Sequence, residues 1–319
     1  MFTMNGFPYG NFHNERVKDM VHAPDWTTQE RLDYTERLFD QLAFLIPDGI
    51  SGGISTSPVS YKHWHTSDMA LDKAFTTGAE SMAKIVLQLE QIERNTGKYL
   101  HLDIEPEPDG MIENSDEVLY FYDTYLIPIA TQKLIAVLGC NKEKARDLIL
   151  RHITVCYDVC HFSLAYEEPE YTLAKFKSAG IKVGKIQVSS ALKILFEEGD
   201  NEAIWHSLSQ FNEPTYLHQV TEKIGNKVVT YRDLPEVLEQ RSHAKELRSH
   251  FHVPIFLERY DHLFSTQDQI LKVLEYLRKD QFSDQLEIET YTWDVLPQGL
   301  KTELSNCIVR EIEWLKSKI

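Results

Sequence analysis

The sequence LDIEPEP (Leu102–Pro108) is an apolar run that stops abruptly on acids and prolines. It reads as the end of a buried strand. Pro106 and Pro108 keep the backbone extended and delay entry into a helix. Period-two alternation then puts Glu105 and Glu107 on one face, if the strand continues that far. One carboxylate can reach inward to a metal while the other serves a substrate; a pair of solvated rim acids is the plainer reading. Three further phrases share this form. VCYDVCHF (Val155–Phe162) ends on Asp158 and His161, whose spacing lets both face one cavity from a turning loop. HFHVP (His250–Pro254) carries His250 and His252 at alternate positions, hence on one face of a strand. IETYTW (Ile288–Trp293) carries Glu289 inside a β-branched and aromatic run, where an acid is costly unless it meets a metal or a cation. Parallel strands of a repeating α/β chain direct their ends to one rim, and carboxylates with imidazoles gathered there suit a divalent ion.

Working outward, IQVSSAL (Ile186–Leu192) places Gln187 after an apolar run. An amide there needs partners, or it costs about 1–3 kcal/mol; a polar strand-end cavity, extended by Ser189 and Ser190, would supply them. Asn5, in NGFPYG, is a polar lining group from the first strand, and His63 and His65, in YKHWH, read as rim-loop residues. Other chemistries find little footing. Cys160 adjoins His161, but neighbouring side chains point apart, and no Gly-x-Ser-x-Gly elbow is present. Neither a Gly-x-Gly-x-x-Gly turn nor a Walker phosphate loop follows any strand.

Strand-like and helix-like segments alternate along the 319 residues, which predicts parallel strands with helical crossovers. Pro128 is expected to kink or split a helix over 116–138. Ala191–Glu198 reads as a short helix, Tyr216–Val220 with Lys227–Tyr231 as a β-hairpin, Phe251–Phe256 and Leu286–Thr292 as strands, and Gln298–Lys316 as a closing helix. Polar groups at many different strand ends fit a (β/α)8 barrel of the TIM type, as one domain over 1–319, because all strand ends converge there. The charge balance, 33 basic against 49 acidic residues for a net −16, opposes binding to nucleic acid. Four scattered cysteines read as reduced thiols of a cytoplasmic protein. No stretch approaches the ~20 apolar residues of a membrane span, and no signal-peptide pattern opens the chain.

At these residues the chain resembles the xylose-isomerase-like TIM barrels, the superfamily of sugar phosphate isomerases and epimerases and of endonuclease IV. Within it, FTMNGFPYG, APDWTTQERLDYT, GGISTSP, LDIEPEP, CYDVCHF, IQVSSAL, HFHVPIF and TYTWDVLP, in that order over essentially the whole chain, resemble the EboE metabolite-traffic proteins. The resemblance implies a divalent metal (manganese, magnesium or zinc) at the strand ends. Glu105 matches the first Glu ligand, Asp158 the Asp, His161 the His that follows it by three, and Glu289 the final-strand Glu. Gln187 stands where many members have a His ligand, and its harder, weaker oxygen shifts preference from zinc towards manganese or magnesium. His252 resembles a His of the endonuclease-IV-like pattern and completes the metal shell. EboE-like chains carry two βα units before the segment that begins here at Phe2. The barrel is therefore expected to lack its first two units, as a truncated reading of the gene would give. Open strand edges would invite pairing with a second copy.

The function so implied is a metal-dependent sugar (phosphate) isomerase or epimerase acting on a small polyhydroxylated metabolite in secondary-metabolite traffic, with other Ebo-pathway proteins as partners. Glu105 and Glu289 exchange the proton, His161 orients a hydroxyl, and Asn5, Glu107 and His250 complete the substrate contacts. Two other readings stay open. One is a non-catalytic barrel that binds a metabolite or a partner, which Gln187 favours. The other is an endonuclease-IV-like phosphoesterase, which needs more His than this constellation supplies.

Overall fold

Polar caps and left-handed glycines cut the first half of the chain into alternating segments. Ser67 accepts from Ala70 N at the start of the Asp68–Thr96 helix, and Gly97 ends it at φ +73°. Asn114 and Asn141 cap Ser115–Phe121 and Lys142–His152 in the same way. Pro128 does not interrupt the helical run from Ser115 to Leu138. A π turn at Tyr122–Leu126 precedes the Ile127–Leu138 helix, and Pro128 sits in that helix's first turn, where its missing N–H is not needed.

The structure, a computed structural model, describes residues 1–10, 17–241, 244–289, 293, 295–299 and 303–319. Strands β1 (Thr3–Asn5), β2 (Gly52–Thr56), β3 (Leu100–Ile104), β4 (Ile153–Asp158) and β5 (Val183–Val188) pair in parallel in chain order. Only Ser189 and Ser190 then separate β5 from β6 (Ala191–Leu195). A parallel return needs a crossover of a dozen or more residues, so β6 leaves the sheet. It joins β7 (Val220–Ile224), β8 (Lys227–Tyr231), β9 (Glu246–His252), β10 (Arg259–Tyr260) and β11 (Leu263–Ser265) in an antiparallel sheet ordered β10-β11-β6-β9-β7-β8. After the Gln267–Lys279 helix the chain returns as β12 (Leu286–Ile288), parallel to β5.

The six parallel strands form a nearly closed, barrel-like sheet. Gln285, just ahead of β12, donates to the Ser51 carbonyl ahead of β2 at 2.9 Å, and Lys185 of β5 reaches Ser55 Oγ of β2 at 3.0 Å.

Several expectations change. Ala191–Glu198 is not a helix but begins with β6: Leu192 and Ile194 alternate into the apolar cluster that also holds Phe251, and pairing with β9 and β11 overrides a short run that fits either period. The strand carrying His250 and His252 is β9, which starts at Glu246 and lies in the antiparallel sheet rather than in the barrel. The hairpin is real, but its first strand starts at Val220, not Tyr216. Positions 290–292 of the expected Leu286–Thr292 strand, and 300–302 of the expected Gln298–Lys316 helix, lie outside the described residues; that helix is described as Leu304–Lys316.

Most of the apolar core lies between the barrel strands and their helices, and a second cluster fills the antiparallel sheet and its helices. The barrel interior is polar, where branched apolar side chains are usual. Asp103 meets His101 Nδ1 at 2.7 Å and accepts from Thr154 Oγ1. A Cβ at Gly53 or Gly184 would collide with Asp103, so glycine there makes room for the pair. Lys185, fully buried, lies 3.2 Å from Glu287. Among the described residues no helix is long and apolar enough to cross a membrane.

The closing helix is fastened by a titratable group. Glu311 accepts from Ile255 N at 3.1 Å, its second oxygen is buried without a hydrogen-bond partner among the described residues, and burial pushes its carboxyl up to about 7. Between about 4.5 and about 7 the unfolded chain ionises while the folded one keeps its proton, so stability falls as pH rises. Glu311→Gln should remove that loss, gaining up to about 3 kcal/mol above pH 7 and little near pH 4. Urea midpoints with the same pH dependence in both proteins would refute this.

Candidate functional site

Because β3, β4, β5 and β12 run in one direction, the side chains at their C-terminal ends emerge together. Glu105 directly follows β3, Asp158 closes β4, Gln187 lies one residue from the end of β5, and Glu289 follows β12. One oxygen from each of Glu105, Asp158 and Glu289 lies within 4.8 Å of the others. Three further groups of the same tightness adjoin it among the described residues: Asp158 with His161 and His252, which shares Asp158, then Glu107 with His161 and His250, and Cys160 with His250 and His252. β9 supplies its two histidines by packing across the Val159–Leu164 helix.

Polar contacts fix this cluster from below. Asp158 caps the Val159–Leu164 helix by accepting from His161 N at 3.0 Å, and it accepts from Ser189 Oγ at 2.6 Å. Gln187 donates from Nε2 to Glu105 Oε1 and Asp158 Oδ2, both at 3.1 Å, while its oxygen faces Cys156 Sγ. The expected ligand oxygen therefore points away, and the amide ties two carboxylates together. His252 Nδ1 lies 3.0 Å from Glu289 Oε2, and His22 Nε2 lies 3.0 Å from Glu107 Oε1. Glu105 Oε2 is buried with no hydrogen-bond partner among the described residues.

The electrostatics split the acids. Burial pushes Glu105 and Glu289 well above the usual carboxylate range, and the neighbouring acids add to it. Burial also acts against an ionised Asp158, but His161, His252, Ser189 and the His161 N–H outweigh it and hold that carboxyl below its usual value. For His161, burial is overcome by Asp158, Glu105 and Glu107, so the imidazole is held above its usual range. Burial pushes His250 well below its own, with His161 and His252 adding to the effect.

Hydrogen-bond logic leads to the same asymmetry. His161 Nδ1 lies 3.0 Å from the Pro106 carbonyl. His250 Nδ1 lies 2.8 Å from Gln219 Oε1, and the Gln219 amide nitrogen is committed to the Pro108 carbonyl at 3.1 Å. Both partners only accept, so both Nδ1 atoms carry hydrogen. The two Nε2 atoms are 3.0 Å apart. In two neutral rings they would present lone pairs to each other, so a proton or a cation must lie between them.

A cavity of about 200 Å³ opens onto the cluster and is lined by Asn5, Glu105, Glu107, His161, His250 and Glu289, among others. Asp158 and Gln187 lie beneath it, and His252 stands behind Glu289 beside Glu311 of the closing helix. Asn5 Oδ1 accepts from Phe7 N at 3.0 Å. The fold thus brings all nine candidate residues together. His63 and His65 turn instead to Asp109 and Ser60. Sequence reasoning missed His22, Gln219 and Lys185. Lys185 was legible: it shares the phase of Gln187 on β5, so an inward Gln187 implies an inward Lys185. His22 carried no such signal. No protein-family model matches the chain, and no curated protein matches it.

Proposed function

We propose that this protein is a metal-dependent isomerase- or epimerase-like barrel acting on a small hydroxy-carbonyl metabolite. The observation that carries the reading is the convergence of Glu105, Asp158 and Glu289 within 4.8 Å at the ends of parallel strands, with Glu105 Oε2 buried without a hydrogen-bond partner among the described residues. A mixed carboxylate–imidazole donor set of this kind suits manganese, magnesium or zinc. The fold this reading adopts is a single (β/α)8-type, xylose-isomerase-like barrel, of which the described parallel sheet supplies six strands. The EboE metabolite-traffic group is its proposed setting.

Glu105, Asp158, Glu289 and His252 would hold the ion. Bound there, it would polarise a carbonyl and the adjacent hydroxyl, acidifying the hydrogen on the hydroxyl-bearing carbon. Glu105 and Glu289, once ionised, take up that hydrogen and return it. Gln187 keeps Glu105 and Asp158 in register, and the His161–His250 pair, whose ring nitrogens are engaged with Pro106, Gln219 and each other, contributes the positive charge of its shared proton beside the acids.

Elemental mass spectrometry of the purified chain, after exposure to manganese, magnesium and zinc in turn, tests this. About one tightly held divalent ion per chain is expected, as a single open catalytic site requires. Uptake of none of the three would overturn the reading and favour a non-catalytic, metabolite-binding barrel. The donor amide of Gln187, which occupies a ligand's place, supports that second reading. Gln187→His should raise zinc affinity relative to manganese by about tenfold, since imidazole is the softer ligand. An unchanged zinc-to-manganese ratio in competition would show that this position does not address the ion.

A further inference from the structure

The cavity has two chemically different ends. Below lie the acids and imidazoles. Above, the described lining is mainly apolar, with Lys18 its charged member: Phe7 and Pro8 follow β1, Val17 and Val21 come from the segment around Lys18–His22, and Tyr216 and Leu217 lead towards β7. We infer that this site takes a compact amphipathic metabolite, with a neutral pair of vicinal oxygens at the carboxylate end and an apolar ring or branched body against the upper wall. Val21 and Leu217 are specificity-determining residues for that body. The inference rests on the metal-dependent reading above and deepens it by naming the substrate class.

Three features carry it. The upper wall is a built surface: Val17 N and Lys18 N donate to the Thr215 carbonyl at 3.0 and 3.3 Å, which clasps the two wall segments together. The Lys18 ammonium in this lining is already committed, at 2.7 Å to Asp233 and 2.6 Å to the Tyr216 carbonyl. It therefore helps hold the wall instead of facing a ligand as a free charge. Finally, the size fits. An apolar cavity of roughly 150 Å³ holds a benzene molecule, so about 200 Å³ accommodates a ring-sized body with a short polar head. A free sugar of similar size carries hydroxyls all round, and those set against Phe7, Val21 and Leu217 would lose their water without gaining a partner. An apolar body there gains by leaving water.

The test is calorimetric titration of the full chain with 1-phenylethane-1,2-diol and with D-xylose, on samples whose manganese content has been measured. The phenyl diol should bind at least about tenfold more tightly than xylose. Leu217→Asn and, independently, Val21→Asn should weaken the phenyl diol about tenfold, while xylose affinity holds or rises because the amide gives its hydroxyls a partner, and manganese content stays unchanged. Xylose binding as tightly as the phenyl diol, no binding of either, or equal weakening of both by the wall variants would overturn the inference. Wild-type protein without manganese would instead count against the metal reading. Manganese-loaded protein with the wrong ligand preference would leave that reading standing and remove only the substrate class.

Discussion

Asp158→Ala should come through purification without the proposed divalent ion while remaining folded. Loss of a group that merely orients a ligand lowers metal affinity by about 10–100-fold, and Asp158 belongs directly to two of the four candidate ligand groups among the described residues, so its removal should exceed that range. It is also the acid of the cluster already held below the usual carboxylate range, whereas burial first, and then like charge, hold Glu105 and Glu289 above it. An ion must therefore displace protons from those two. Their raised values mean that lower pH strengthens the competing protons, so metal affinity should climb with pH, by up to about tenfold per unit for each proton released. Removing Asp158 also removes the cap of the Val159–Leu164 helix, a loss of about 1 kcal/mol, partly offset by weaker repulsion on its neighbours. Elemental analysis, far-UV circular dichroism and manganese titrations across pH 6–8 check all three points. Stoichiometric metal in the variant would sink the assignment of Asp158, and a pH-independent affinity would show that the two glutamates bind no protons to displace.

The second large effect is structural. Lys185→Met should lower stability by up to about 3 kcal/mol, the low end for removing one partner of a buried charge pair, because the Glu287 side chain is partly exposed. That corresponds to a fall of at most roughly 10 °C in the unfolding midpoint. Burial works against the ammonium, but Cys156, Glu287, Glu105 and Asp103 around it more than compensate and hold it charged. Methionine keeps the volume and deletes the charge, leaving the acids of the barrel interior facing one another. Lys185→Met combined with Glu287→Gln should recover part of the loss, because a neutral pair leaves no stranded charge. The comparison belongs on metal-free protein, since a bound ion adds its own stabilisation. A single variant within about 1 kcal/mol of the parent would show that solvent, rather than Lys185, compensates these acids.

The site was more legible in the sequence than the fold that carries it. Glu105, Asp158 and Glu289 could be read because each follows an apolar β-rich run, and an acid at the end of a buried strand has few uses. Asn5 and Gln187 could be read for the same reason. The direction of Gln187 could not. Which end of an amide faces a carboxylate depends on the atoms on its other side, here Cys156 Sγ, contributed by a neighbouring strand. The wall of Phe7, Val21 and Leu217 was equally invisible, since Leu217 is remote in sequence from the other two and meets them only after folding.

By itself the sequence determined the local elements and their phase. The Ser67, Asn114 and Asn141 caps, the glycine stops, and the two-residue alternation that turns His101, Asp103 and Glu105 to one side of β3 are all short-range chemistry. Only the tertiary structure decided which strands became neighbours. The two residues between β5 and β6 are too short for a parallel return, so the chain built an antiparallel sheet before coming back as β12. His250 and His252 reach the acid cluster from that second sheet, because pairing partners are chosen by long-range packing and loop length, which no local pattern encodes.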